Sequence, residues 1–138
     1  MNRDKIKIYS EISANRKKVW DYYTNPEHIV NWNFASEDWC CPKAENDLQI
    51  GGTYKARMKA KDGSFGFDFE AVYKEINPLE SFSYGFENRN IQVRFEEMGK
   101  KTKVMIEFDP ESENPMEMQK NGWQSILDNF KKYVESNK

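Results

Sequence analysis

Histidine is nearly missing from this chain: His28 is the only one. Cysteine is almost as scarce, and the two present, Cys40 and Cys41, are neighbours. Adjacent cysteines cannot tie distant segments together, so the disulfide framework of a small secreted domain is excluded. On a strand their side chains point to opposite faces, which predicts two ordinary thiols, one of them facing in. One histidine beside no other ligand type at ligand spacing argues against a metal site. Any Ser-His-acid or Cys-His arrangement would have to use His28, and nothing in the sequence positions it for that. Asn25-Pro26-Glu27-His28 places the imidazole in the first turn of a helix, as an exposed or capping residue, where the helix dipole disfavours its charged form.

Charge of one sign is also lacking. The 21 basic and 23 acidic residues are interspersed and leave a formal charge of -2. Neither nucleic acid nor an anionic membrane is therefore expected as a partner. No apolar run reaches spanning length, and Met1-Asn2-Arg3-Asp4-Lys5 leads straight into a strand pattern with no secretion signal. The expectation is a cytoplasmic protein. There is no phosphate loop or dinucleotide fingerprint, because Gly51-Gly52 precedes a strand and reads as a turn or bulge. No linker, repeat or low-complexity tract divides the 138 residues, so a single domain over 1–138 is expected.

What the chain does have is one long amphipathic helix at its end. From Asn114 to Glu135, the side chains Met116, Gln119, Trp123, Ile126, Leu127, Phe130 and Val134 recur at helical spacing. Asn114 is placed to cap it and Pro115 to occupy its first turn. Ahead of it, from about Trp39 to Asp109, apolar residues alternate. Tyr54, Ala56, Met58 and Ala60 share one face, as do Phe65, Phe67, Phe69, Ala71 and Tyr73, with Asp68, Glu70 and Lys74 opposite. Phe82, Tyr84 and Phe86 follow, then Ile91, Val93 and Phe95, then Val104, Ile106 and Phe108. Asp62-Gly63, Asn77-Pro78 and Gly99-Lys100 punctuate them as turns. Alternation on one side only marks a sheet with one wet and one covered face. At the other end, Ile6, Ile8 and Ile12 define a first strand. Asn15 is placed to cap a helix through Val19-Trp20, and Asn25-Pro26 to start a second one whose apolar face carries Ile29, Val30 and Trp32.

The order strand, two short helices, six strands and long helix, with these motifs in place, resembles the START-like (SRPBCC) superfamily. That resemblance implies an α+β helix-grip fold, also called birch-pollen-allergen-like: a seven-stranded antiparallel sheet around a long C-terminal helix, with two short helices after the first strand. More narrowly, the chain is similar to the family of homologues of the activator of the heat-shock protein ninety ATPase. The matching pieces are Val19-Trp20, Asn25 through Trp32, Asp47-Leu48-Gln49-Ile50-Gly51-Gly52-Thr53-Tyr54, Glu75-Ile76-Asn77-Pro78, and Gly122-Trp123 with Leu127. They cover nearly the whole chain. The superfamily often holds an apolar or aromatic small molecule between sheet and helix. The co-chaperone that gives the narrower family its name carries a separate N-terminal domain for much of its partner binding, and this chain starts directly at the first strand. The family name is therefore not expected to imply a chaperone function here.

The resemblance and the facing aromatics together predict a cavity wall. From the sheet it comprises Tyr54, Met58, Phe67, Phe69, Tyr84, Phe86 and Phe95, and from the helix Gln119, Trp123 and Phe130. Inward polar candidates are Ser10, Tyr54, Tyr73, Tyr84 and Gln119. A few polar groups among many aromatics make a ligand pocket, and equally an aromatic core whose hydroxyls reach the surface. Bulk added at Ala56 or Ala71 would fill a pocket and overpack a solid core. The favoured function is binding of a small hydrophobic or aromatic ligand, as a non-catalytic sensor or carrier, with no cofactor. A polyketide-cyclase-like enzyme and a stress- or chaperone-related interaction module are the alternatives, and a homodimer is allowed.

Overall fold

The computed structural model describes residues 5–86, 89–111 and 114–137. Its strands follow the alternation. In β1 (Ile6–Ile12) every second side chain is buried, including Ser10. In β7 (Lys101–Phe108) Thr102, Val104, Ile106 and Phe108 are buried while the residues between them keep some exposure. Between these lie α1 (Arg16–Thr24), α2 (Pro26–Ile29), β2 (Trp39–Asn46), β3 (Thr53–Ala60), β4 (Gly66–Asn77), β5 (Ser81–Phe86) and β6 (Arg89–Met98), and the chain ends in α3 (Met116–Ser136). The seven strands form one antiparallel sheet in the order β1-β7-β6-β5-β4-β3-β2. Each strand pairs with its neighbour in sequence except β1, which closes against β7 with Ile6 opposite Phe108 and Ile12 opposite Thr102. The sheet curls as a half-barrel and grips α3. Among the described residues no helix is long and apolar enough to cross a membrane.

The short helices start as the sequence dictates. The Asn15 side chain accepts a hydrogen bond from Lys18 N at 2.8 Å. Asn25 closes α1 and opens α2: its backbone N–H donates to Asp21 O, while its side chain accepts from Glu27 N at 3.0 Å with Pro26 at the first helical position. The V formed by α1 and α2 buries Val19, Ile29 and Trp32. The Trp32 indole N–H is satisfied by Tyr22 O at 2.9 Å.

The start of α3 differs from the expectation. Asn114 does not cap it. The helix begins at Met116, Pro115 precedes it, and no described side chain caps its N-terminus. Instead the Gln119 amide folds back over that end. Its Nε2 donates to Asn114 O at 2.8 Å and its Oε1 accepts from Glu111 N at 2.9 Å. Leu127, Phe130 and Val134 are the most deeply buried residues of the helix. Sealing each one from water contributes about 1.5–3 kcal/mol. Phe130 meets Tyr23 and Trp32 edge-on, with ring centroids 5.0 and 4.8 Å apart.

Turn chemistry fixes the loop before β3. Gly51 adopts φ +87°, the left-handed region that favours glycine. A Cβ on Gly52 would stand 2.1 Å from Asp47 O, so only glycine lets the loop close. The loop then joins the sheet as an extra rung, with Gly51 N donating to Tyr73 O and Tyr73 N to Gly52 O.

Candidate functional site

Between the sheet and the N-terminal half of α3 lies a cavity of about 550 Å³. That is within the usual range for small-molecule pockets, roughly 300–1,000 Å³. Of the residues predicted for its wall, Tyr54, Met58, Phe67, Phe69, Tyr84, Gln119 and Trp123 border it. Tyr54, Phe69 and Tyr84 form an aromatic panel, with centroid separations of 5.4 to 6.1 Å and edge-to-face geometry. Trp123 completes it from the helix, 6.2 Å from Phe69 and stacked on Phe108 at 4.3 Å.

Phe95 and Phe130 are not on the wall. Both are buried in solid core. Phe95 packs on Trp20 at 5.1 Å and on Tyr23 at 5.7 Å, and Phe130 is walled in by Tyr23 and Trp32. The short helices supply the ring surface that takes the space predicted to be empty there. Ala56 and Ala71 are likewise fully buried and do not border the cavity. Phe65 precedes β4 and is exposed, and Phe67 is 41% exposed. Both rings lean on Trp39 of the edge strand rather than under the helix, at 6.0 and 6.2 Å. The Phe86 side chain lies outside the described residues.

Several wall residues carried no sequence signal for that role. Tyr23 comes from α1, and Trp32 and Asn33 from the turn after α2. Ile106, Ile126 and Leu127 were legible as inward-facing but not as wall. Arg89, Glu111, Asp68 and Glu70 add charge at the border. Asp68 and Glu70 are exposed, as their strand face predicts, and Asp68 lies 3.6 Å from Arg57.

The polar groups divide into those the protein satisfies and those it does not. Gln119 is committed to Glu111 and Asn114, so its role is to brace the loop ahead of α3. Tyr73 donates to Asn46 Oδ1 at 2.7 Å, and Asn46 in turn donates to Thr24 O. By contrast, no described residue hydrogen-bonds to the hydroxyls of Tyr23, Tyr54 or Tyr84, although all three residues are buried. No described buried side-chain oxygen or nitrogen is sealed off without a partner, so these hydroxyls must open onto accessible space. Tyr23, Tyr54 and Tyr84 all border the cavity. Burial pushes the hydroxyls of Tyr23, Tyr54, Tyr73 and Tyr84 well up from the ordinary phenol value. For Tyr23, Tyr54 and Tyr84 the neighbouring tyrosines add to that push. All four are protonated at neutral pH.

His28 is elsewhere, and it is neither exposed nor a cap. Its ring stacks on Tyr22 at 3.8 Å, its Nδ1 is 2.7 Å from the Tyr133 hydroxyl, and its Nε2 is 3.8 Å from Asp21 Oδ2. It joins the α1–α2 insert to the C-terminal half of α3 and does not border the cavity. Cys40 and Cys41 are both free thiols. Cys41 faces in beside Asn33, and burial pushes its thiol up.

A seven-stranded antiparallel sheet gripping a long helix, with a cavity between them, defines a START-like helix-grip protein. The narrower assignment is equally plain. Residues 13–135 match the family described as Activator of Hsp90 ATPase homolog 1-like protein, and the chain belongs to that family. The chain is similar to the AHSA1-like protein of Aeromonas hydrophila, known from a solution structure. It is 38% identical to it, with 96% of this chain and 92% of that one covered and a TM-score of 0.90. A protein of Cytophaga hutchinsonii is 42% identical over 96% of this chain and 93% of its own, with a TM-score of 0.82. A protein of Chromobacterium violaceum shares the fold at 23% identity, with a TM-score of 0.84 and coverage of 96% and 99%. No curated protein matches the chain.

Proposed function

We propose that this protein binds a small apolar or aromatic molecule in the cavity between sheet and C-terminal helix, as a non-catalytic sensor or carrier. The observation that carries this reading is the cavity of about 550 Å³, walled by Tyr54, Phe69, Tyr84 and Trp123. Aromatic walls of this size favour a flat ligand, which gains ring contacts and sheds water on entering. The protonated tyrosines are unsuited to act as bases at neutral pH, and the sole imidazole is spent on the Tyr133 seam. Both points favour binding over catalysis.

The test is titration of the native protein with a hydrophobic probe dye and with a flat aromatic hydrocarbon. Binding should quench the emission of Trp123 and raise the melting temperature with ligand concentration, as any ligand of the native state must. Because the chain has four tryptophans, the quench is assigned by its loss in Trp123→Phe. An unchanged melting temperature and unchanged emission at saturating probe would sink the reading.

A further inference from the structure

We propose that the hydroxyls of Tyr23, Tyr54 and Tyr84 form a donor cluster that selects a ligand with a neutral acceptor oxygen, a carbonyl on an apolar or aromatic body, over the matching hydrocarbon. This rests on the cavity reading above and gives the ligand its chemical class. The three residues come from α1, β3 and β5, so the fold converges them rather than any local motif. Tyr54 and Tyr84 pack edge-to-face with centroids 5.4 Å apart. Tyr23 approaches the same group from the helical side through Phe82, which is 6.0 Å from Tyr23 and 5.1 Å from Tyr84.

The contrast with neighbouring polar groups is what points to a ligand. The protein partners the Tyr73 hydroxyl with Asn46, the Trp32 N–H with Tyr22, and every polar atom of the Gln119 amide with the loop. Among the described residues Tyr23, Tyr54 and Tyr84 have no hydrogen-bond partner for their hydroxyls, and all three border one cavity. Open to the cavity, these hydroxyls can be completed by water, and a ligand that displaces the water must replace its hydrogen bonds or lose affinity. Being protonated, these hydroxyls offer hydrogens, and a carbonyl oxygen has two lone pairs to receive them. Such bonds are stronger inside an apolar wall than in water. A hydrocarbon of the same shape would gain the ring contacts but strand the donors, which is how a polar site rejects an analogue lacking the matching group.

The experiment uses a shape-matched pair, 2-acetonaphthone and 2-isopropenylnaphthalene, which differ by a carbonyl oxygen in place of a methylene carbon. Both are titrated into the wild type and into Tyr23→Phe, Tyr54→Phe and Tyr84→Phe, each of which keeps the ring and removes only the hydroxyl. The expected result is that at least one variant lowers the ketone-to-hydrocarbon affinity ratio about tenfold. Hydrocarbon affinity should hold or rise in that variant, because the donor it would strand is gone. A second measurement needs no variant to be compared for stability: the carbonyl stretch of 2-acetonaphthone bound to the wild type should lie at lower frequency than in hexane. Binding of both compounds with a ratio untouched by all three substitutions, and a carbonyl stretch at its hexane position, overturns this inference and leaves the cavity reading standing. Failure of both compounds to bind overturns the two together.

Discussion

His28 Nδ1 sits 2.7 Å from the hydroxyl of Tyr133, a residue 105 positions further along the chain. That contact fastens the end of α3 to the insert, which gives the histidine a role in stability. Replacing His28 by alanine removes one hydrogen bond and the stack on Tyr22, and should cost about 1–2 kcal/mol of folding stability. Affinity for an aromatic probe should stay within a few-fold of wild type. Tyr133→Phe should be non-additive with His28→Ala in a double-mutant cycle read by urea unfolding. A hundredfold loss of binding in the folded variant would show that the seam reaches the cavity.

The core and the cavity should respond differently to added or removed bulk. Phe130→Ala empties a site enclosed by Tyr23 and Trp32, and should cost about 3–5 kcal/mol. Ala56→Leu should overpack, costing about 1–3 kcal/mol, because Ala56 is wholly buried away from the cavity. Ile126→Trp instead extends into the cavity, so it should abolish probe binding at little cost in stability. Denaturation midpoints and probe titrations on the three variants decide this, and stable binding by Ile126→Trp would contradict the cavity's placement.

Alkali should unfold the protein through its buried tyrosines. Tyr23, Tyr54, Tyr73 and Tyr84 are all raised above the phenol value in the folded chain, chiefly by burial. A raised acid binds its proton more tightly when folded. The stability it provides is complete below the unfolded value of about 10 and is lost as pH rises above that. Each such group adds a slope of about 1.4 kcal/mol per pH unit there. Urea unfolding between about pH 8 and about pH 11.5 should show the fall. Tyrosinate absorbance of these four should appear together with unfolding and not before it. Gradual ionisation while the protein remains folded would contradict their burial.

Gly52 should tolerate no side chain. Its missing Cβ would overlap Asp47 O, a backbone atom held by the loop itself. Gly52→Ala should therefore destabilise by about 1–3 kcal/mol. Gly122→Ala, where the new methyl would meet open space, is the control and should be neutral or slightly stabilising through helix propensity. Thermal melts of both variants provide the comparison.

The fold was readable because its signals are local. Period-two alternation from Tyr54 to Phe108 sets which face of each strand is covered, and Asn15 and Asn25-Pro26 announce their helices within a few residues. The start of α3 misled because Asn114 has the right chemistry for a cap, while Pro115 takes the cap position and the Gln119 amide, a turn inside the helix, reaches back to brace the loop at Glu111 and Asn114. The wall was readable only in part. Trp123 and Phe130 lie on the same helical face, yet one lines open space and the other is sealed in. What separates them is the depth to which Tyr23 and Trp32 enter from the insert, and no periodicity encodes that. The three unpartnered hydroxyls were invisible for the same reason. Tyr54 and Tyr84 look no different from Tyr73 until Asn46 is found beside the Tyr73 hydroxyl and no described hydrogen-bond partner beside the other two.

The closure of β1 on β7 sets the order in which the protein can be completed during synthesis. Ile6 is made well before its partner Phe108, which emerges only after five further strands. Through that interval β2 to β6 can assemble hairpin by hairpin from near neighbours, while β1 waits without a mate. The helix that roofs the cavity comes later still. Tyr23, Tyr54 and Tyr84 are thus all translated before any enclosure exists around them. A small molecule that enters the half-built cleft would meet the tyrosines while water still reaches them, and closure by α3 would trap it.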